Sequence, residues 1–154
     1  MATRATIDQF LAGKRLALIG ASRDEKAFSS TILRELQAKG YEMFPVNPAT
    51  DIVGGLRCFH HVSELPPDIH GAIIMLPAEH SADAVRACIA HGIPRVWLHK
   101  GVGPSSVSDE AVALCREKGV AVVDGACPLM FAQPTAWIHR VHRGERKLLG
   151  KLPV

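Results

Sequence analysis

The chain is poor in aromatic residues and has no long apolar run. Five phenylalanines, two tryptophans and one tyrosine make up 5% of its 154 residues, and the longest uninterrupted apolar piece is the short Ala72 to Leu76. A membrane-spanning helix needs roughly 18 or more apolar residues, so no segment is expected to cross a bilayer. The start, MATRATIDQFLAGK, puts Asp8 and Gln9 where a signal peptide would carry its apolar stretch. A cytoplasmic location is the expectation. Cysteine is sparse and unpatterned: Cys58, Cys88, Cys115 and Cys127 show no C-x-x-C spacing, which argues against a zinc ribbon or a disulfide framework. Cys88 and Cys115 fall among apolar helix positions and read as small core fillers. Net charge is only +3. Five basic residues, Arg140, Arg143, Arg146, Lys147 and Lys151, stand against Glu145 in one terminal stretch, leaving 13 of the 18 basic and 14 of the 15 acidic residues elsewhere. A nearly neutral body without a helix-turn-helix or an aromatic RNA-binding signature disfavours nucleic acid as a partner.

What is present is a rhythm. Three helical patterns each end on a glycine followed at once by a short apolar run: AKGYEMFPV, AHGIPRVWL and EKGVAVVD. Gly40, Gly92 and Gly119 can take the left-handed conformation that ends a helix, with Lys39, His91 and Lys118 beside the negative helix end. Working outward from these joints, strands are expected at about Leu16 to Ile19, Glu42 to Val46, Ala72 to Met75, Arg95 to Leu98 and Val120 to Val123. Phe28, Ile32, Leu33 and Leu36 recur at helical spacing, as do Val85, Cys88 and Ile89, then Ala111, Val112 and Cys115. Ser81 and Ser106 read as helix N-caps, the latter with Asp109 three residues on. TIDQFLAG suggests a helix before the first strand, and LRCFHHVSELPPDIH a short connecting helix or turn. Brief apolar strands alternating with helices define an α/β domain: a doubly wound, mainly parallel five-stranded sheet in a Rossmann-like three-layer sandwich. That domain is expected over residues 1–133. Residues 134–154 form a basic tail in which Trp137, Val141 and Ile138 suit a docked terminal helix, against the body, a second copy or a protein partner.

In such sheets ligands settle beyond the carboxyl ends of the strands. After the first strand, Gly20 permits a tight turn, Ala21 keeps it small and Ser22 offers a hydroxyl, while the next helix presents free amides to an anion. Arg23 and Lys26 add positive charge, offset locally by Asp24 and Glu25. Neither G-K-[ST] nor G-x-G-x-x-G is present, which disfavours nucleoside triphosphate hydrolysis. A dinucleotide site usually carries an acidic residue at the end of the second strand. Here Val46, Asn47 and Pro48 occupy that place, which weakens the NAD reading.

The segments LALIGAS, KGYEMFPVNP, AIIMLPAE, GIPRVWLHKGV and KGVAVVDGACP occur in the order found in the CoA-binding domain family, which they resemble over roughly Lys14 to Pro128. The family includes small stand-alone bacterial proteins and is similar to the nucleotide-binding domain of the succinyl-CoA synthetase alpha chain. The resemblance implies CoA or an acyl-CoA as the small-molecule ligand. Gly20, Ala21 and Ser22 match the phosphate turn, and Val46, Asn47 and Pro48 the segment flanking the adenine nucleotide. Leu76 and Pro77 match the loop after the third strand, and Lys100 and Gly101 the corner after the fourth. Lys100 departs from the acidic residue of the synthetases and could favour an anion. Phe28, Ser29 and Ser30 stand where the family often has another glycine; the serine hydroxyls are expected to face a phosphate, at the cost of a less close backbone approach.

No catalytic constellation is expected. His99 ends a strand where an acid or base could act, and Cys127 lies where a thiol could form a mixed disulfide with the ligand, but a packed turn residue is the plainer reading of Cys127. The pairs His60 with His61 and His139 with His142 lack further metal ligands. The leading expectation is a non-catalytic carrier, sensor or regulatory domain. The alternatives are an NAD(P)- or other nucleotide-dependent enzyme or redox-regulatory domain using the same crevice, and an interaction module with a vestigial cleft.

Overall fold

The computed structural model describes residues 3–100 and 105–131. The expected basic tail, with Trp137, Ile138, Val141, His139 and His142, therefore lies outside the described residues, as does Gly101.

The first helix, α1 (Arg4–Ala12), is capped by Thr3, whose hydroxyl accepts from the Thr6 amide. It leads into β1 (Arg15–Ile19), α2 (Phe28–Ala38) and β2 (Glu42–Val46). A small hairpin, β3 (Ile52–Val53) and β4 (Leu56–Arg57), and a 3-10 turn (Val62–Glu64) fill the irregular segment before β5 (Gly71–Ile74). Then come α3 (Ala78–His91), β6 (Arg95–His99), α4 (Asp109–Glu117), β7 (Ala121–Ala126) and a closing 3-10 turn (Pro128–Met130). The hairpin turns on Gly54 and Gly55, with φ of 58° and 79°. Two consecutive residues of positive φ match the right-handed twist of a two-residue hairpin.

The main sheet has the order β2-β1-β5-β6-β7, and every pairing in it is parallel. The period-two alternation of the strands divides the core between two faces. Ala17, Ile19, Phe44, Val46, Ala72, Ile74, Val96 and Leu98 pack with α3, α4 and the Val62 turn. Leu16, Leu18, Met43, Ile73, Trp97 and Val123 pack with α1 and α2. Trp97 is fully buried; its indole N–H donates to the Ala126 carbonyl at 2.8 Å, and its ring meets Phe10 edge-on at 5.2 Å. Helix on one face, helix on the other and sheet between make the expected three layers.

Gly40, Gly92 and Gly119 have φ of 98°, 88° and 73°, so the three helix-to-strand joints turn as the sequence suggests. Two caps need correction. Helix α3 begins at Ala78, three residues ahead of Ser81, which is buried within it and donates to the Ser106 carbonyl. Helix α4 is capped by Ser108, not Ser106. Both buried hydroxyls belong to a contact, described below, that joins α3 and the loop before it to the loop before α4. Strand ends also shift by one to three residues: β5 starts at Gly71, and β7 runs on to Ala126 through a bulge at Gly125, whose φ is 104°.

Strand β2 is an outer strand. Its free side carries Pro45, which has no N–H to offer, and is stitched to Phe59 by Phe59 N–H to Pro45 O and Asn47 N–H to Phe59 O, both 2.9 Å.

A methyl group on Gly71 would lie 2.7 Å from the ring of Phe10, which is itself wedged against Trp97. Gly71→Ala is therefore expected to cost about 1–3 kcal/mol by overpacking, read as a lowered urea midpoint with an unchanged slope.

Candidate functional site

The topology places the site before any side chain is considered. The chain leaves β1 for β2 on one side and returns to β5 on the other, so a crevice opens at the carboxyl ends of β1 and β5. A cleft of about 990 Å³ lies there, at the upper end of the size usual for small-molecule sites. One bank is formed by Ile19 to Ser22 and Val46 to Pro48, the other by Leu76 and the face of α3 carrying His80, Asp83, Ala84, Ala87, Ala90 and His91; His60 to Ser63 close the side. Because helical residues rise about 1.5 Å each, His80 to His91 spans roughly 16 Å, and the cleft is elongated along α3.

The backbone of this crevice is held by one acceptor. Gly20 N–H and Ala21 N–H both donate to the Val46 carbonyl, at 3.2 and 3.3 Å. Gly20 has φ of 97°, and a Cβ there would lie within 2.9 Å of the Met75 carbonyl carbon and closer still to its oxygen. Only glycine fits. Asn47 completes the joint: its side-chain N–H donates to the Ala21 carbonyl at 2.7 Å, and its side-chain Oδ1 accepts from the Ala49 N–H. The Asn at the end of β2 thus ties two loops together where a dinucleotide site would place a carboxylate.

Of the residues expected from the sequence, the structure brings Gly20, Ala21, Ser22, Val46, Asn47, Pro48 and Leu76 to this one cleft. Arg23, Lys26, Ser29, Ser30, Pro77 and Lys100 do not line it. The two serines differ from expectation in a specific way. Ser29 is buried, and the Ser30 hydroxyl lies inside its own loop, 2.8 Å from the Asp24 carbonyl and 3.1 Å from that of Ser22. The loop needs these bonds because it is a chain of local turns: Ser22 Oγ accepts from the Asp24 N–H and Asp24 Oδ1 from the Lys26 N–H. Helix α2 follows Ala27 with no side-chain cap, and the Ser30 N–H donates to the Ala27 carbonyl at 3.0 Å.

Sequence reasoning missed the α3 wall and the histidines. Ala84, Ala87 and Ala90 stand at i, i+3 and i+6, so one helix face is made of methyl groups and leaves space beside it. That spacing was legible; nothing local marked it as facing a cavity. Leu76, on the same wall, is clamped from behind. Ser106 is almost fully buried, and its hydroxyl accepts from the Leu76 N–H at 2.9 Å and donates to the Leu76 carbonyl at 2.6 Å. Ser81 in turn donates to the Ser106 carbonyl at 2.6 Å, and the Ser106 N–H donates to the His99 carbonyl at 2.8 Å.

His99 and Cys127 belong to the other face of the sheet. The His99 ring lies 5.6 Å from that of Phe28 on α2, and Cys127 is buried with the α1 and α2 core. Neither lines the cleft. His99 is 1% exposed and its Nε2 has no hydrogen-bond partner among the described residues; loss of solvent holds its pKa below the usual imidazole value. Burial pushes the thiols of Cys88 and Cys115 up to about 12 and about 11, which keeps these core residues unreactive. Among the described residues no group of three or more His, Cys, Asp or Glu is arranged to hold a metal ion, and no helix is long and apolar enough to cross a membrane.

A parallel three-layer sheet with a glycine-turned crevice at its switch point defines a Rossmann-like ligand-binding domain. The chain belongs to the CoA-binding domain family, whose model matches residues 14–133. It is 31% identical over 129 residues to a trans-feruloyl-CoA synthase from an unknown prokaryotic organism, a match covering 79% of this chain and 18% of the relative. It is 26% identical over 126 residues to the uncharacterised protein YneT of Bacillus subtilis, covering 81% of this chain and 90% of that one. Among solved structures, a conserved hypothetical protein from Pyrococcus furiosus superposes with a TM-score of 0.70 at 29% identity, over 76% of this chain and 97% of that one. The chain thus spans under a fifth of the synthase it matches and nearly all of the two small proteins.

Two outcomes follow from the groups behind the cleft. Ser106→Ala strands a buried amide and carbonyl of Leu76 and is expected to cost about 1–3 kcal/mol in urea unfolding. For His99, the unfolded chain binds a proton at a higher pH than the folded one, so its contribution is intact above about pH 6.5 and stability falls as pH drops below that value. His99→Gln should flatten the fall in stability below about pH 6.5, measured by urea midpoints from neutral into acid pH.

Proposed function

We propose that this domain binds CoA or an acyl-CoA in the cleft beside α3 and has no chemistry of its own, serving as a carrier, sensor or regulatory domain. The observation that carries the reading is the meeting of the Gly20 turn, the Val46–Pro48 segment and Leu76 on one elongated cleft in a chain of the CoA-binding domain family. Ile19, Val46, Val62, Leu76 and Ala84 give the cleft apolar walls suited to a purine ring, and Asn47 and Ser22 lie at its edge. Asn47 in place of a carboxylate removes the usual partner of the NAD ribose.

The non-catalytic role is part of the proposal; among the described residues the lining holds no cysteine, and its polar side chains are Ser22, Asn47, Ser63, Asp83 and four histidines. A second reading is favoured by the match to the trans-feruloyl-CoA synthase: the domain acts as the CoA-holding part of a larger acyl-CoA-forming assembly, whose reacting groups come from a partner.

Isothermal titration with CoA, acetyl-CoA, NAD and NADP tests the proposal. Binding of CoA or acetyl-CoA with no heat from NAD or NADP is expected, and selective binding of NAD or NADP would overturn it. Ala87→Trp, at a partly buried position of the α3 wall, should weaken CoA binding at least about tenfold while the domain stays folded by circular dichroism. Native mass spectrometry of protein purified without added ligand should show a retained CoA-sized mass.

A further inference from the structure

The chain leaves the described residues from a fixed point. The Phe131 ring lies 6.2 Å from that of the buried Trp97, and the Arg4 guanidinium at the start of α1 stands over it at 5.4 Å. Leu129 and Phe131 are partly buried against the α1 and α2 face, and the closing turn Pro128–Met130 packs on α2. Met130, between them, is 74% exposed; Ile52 on the small hairpin is the other large apolar side chain left so open among the described residues. Strand β7, which feeds this turn, is the outer strand at the opposite border from β2, and no described strand pairs with its outer side.

The sequence beyond Phe131 carries a matching stripe. Counted at about 100° per residue, Trp137, Ile138, Val141, Leu148, Leu149 and Leu152 fall within one arc of roughly 120°, and Arg140, Arg143, Arg146, Lys147 and Lys151 fall on the other side. Pro134 precedes the pattern, where the first turn of a helix admits it. Gly144 and Gly150 weaken such a helix standing alone, so it needs a surface to form on. Trp137 follows Phe131 by only six residues, and an extended chain spans at most about 3.5 Å per residue, so its Cα lies within roughly 21 Å of Phe131 whatever path the chain takes. A tether this short gives the stripe an effective concentration of about a millimolar or more at the surface around Met130.

We propose that the segment 134–152 docks as an amphipathic helix on the body of its own chain, with Trp137, Ile138 and Val141 covering Met130 beside the outer border of β7. The apolar stripe is buried and the basic side chains face outward. This inference is independent of the CoA reading, since the surface lies on the α1 and α2 side of the sheet and the cleft on the α3 side.

Trp97 and Trp137 are the two tryptophans of the chain, so the difference in emission between the full chain and its Trp137→Phe variant reports Trp137 while the buried Trp97 stays intact. Acrylamide quenching of that difference signal is expected to be at least about threefold weaker in buffer than in urea, over about a hundredfold range of protein concentration and with a monomeric mass by native mass spectrometry. Met130→Asp sets a carboxylate against the stripe and should lower the ratio of docked to free segment at least about tenfold, returning the quenching towards its value in urea. Met130→Leu should keep the protection. The Trp97 emission, read in the Trp137→Phe background, should not change with either substitution, which shows that the body stays folded. Quenching of Trp137 in buffer equal to that in urea overturns the docking, and protection that survives Met130→Asp overturns the site. Protection that falls on dilution, with a dimeric mass, overturns the proposal in favour of a second copy. Protection that arises only on adding vesicles of phosphatidylcholine and phosphatidylserine overturns it in favour of an anionic lipid surface.

Discussion

The structure depends on the carbonyl of Val46. It receives the amides of both Gly20 and Ala21, and so fixes the turn after β1 against the end of β2. A residue with a side chain at position 20 would collide with the Met75 carbonyl at the end of β5, so three strand ends are brought together at one glycine. Asn47 adds a side-chain bond to the same turn. The crevice is therefore shaped by main-chain geometry, and its side chains are left to line it.

The two faces of the sheet have divided their tasks. The face under α1 and α2 is filled by large side chains, Trp97, Phe10, Leu33 and Leu36 among them, and it encloses His99 and Cys127. The face under α3 and α4 uses smaller residues where it borders the cleft, and alanine at positions 84, 87 and 90 leaves the space that the opposite face fills. The Ser106 hydroxyl ties the loop before α3, and the Ser81 hydroxyl ties α3 itself, to the loop before α4, which stiffens that wall. A ligand of the proposed kind would meet a wall held by side-chain hydrogen bonds, which would lower the ordering cost of binding.

Much of the fold was legible because it rests on local signals. Glycines 40, 92 and 119 mark helix ends, the apolar runs after them mark parallel strands, and the strand-end rule leads to Gly20 through Ser22, Val46 through Pro48 and Leu76. What the sequence hid is long-range. Ser81 and Ser106 look like caps because serine favours helix starts, yet their partners are 25 and 30 residues away, at a contact that no local pattern encodes. Ser30 reads as a phosphate ligand until its hydroxyl is seen bonded to Asp24 of its own loop. His60, His61 and His80 carry no spacing motif, and they share a cleft only because the segment before β5 folds back against α3.

The outer side of β2 has a consequence for how copies of the chain can meet. Pro45 offers no donor there, its carbonyl is taken by Phe59, and the Phe59 carbonyl in turn occupies Asn47. A foreign strand approaching this margin finds its rungs missing or already filled. Sheet extension from one molecule into the next is blocked at that border by the chain itself, so the neighbouring cleft can stand open without inviting stacking.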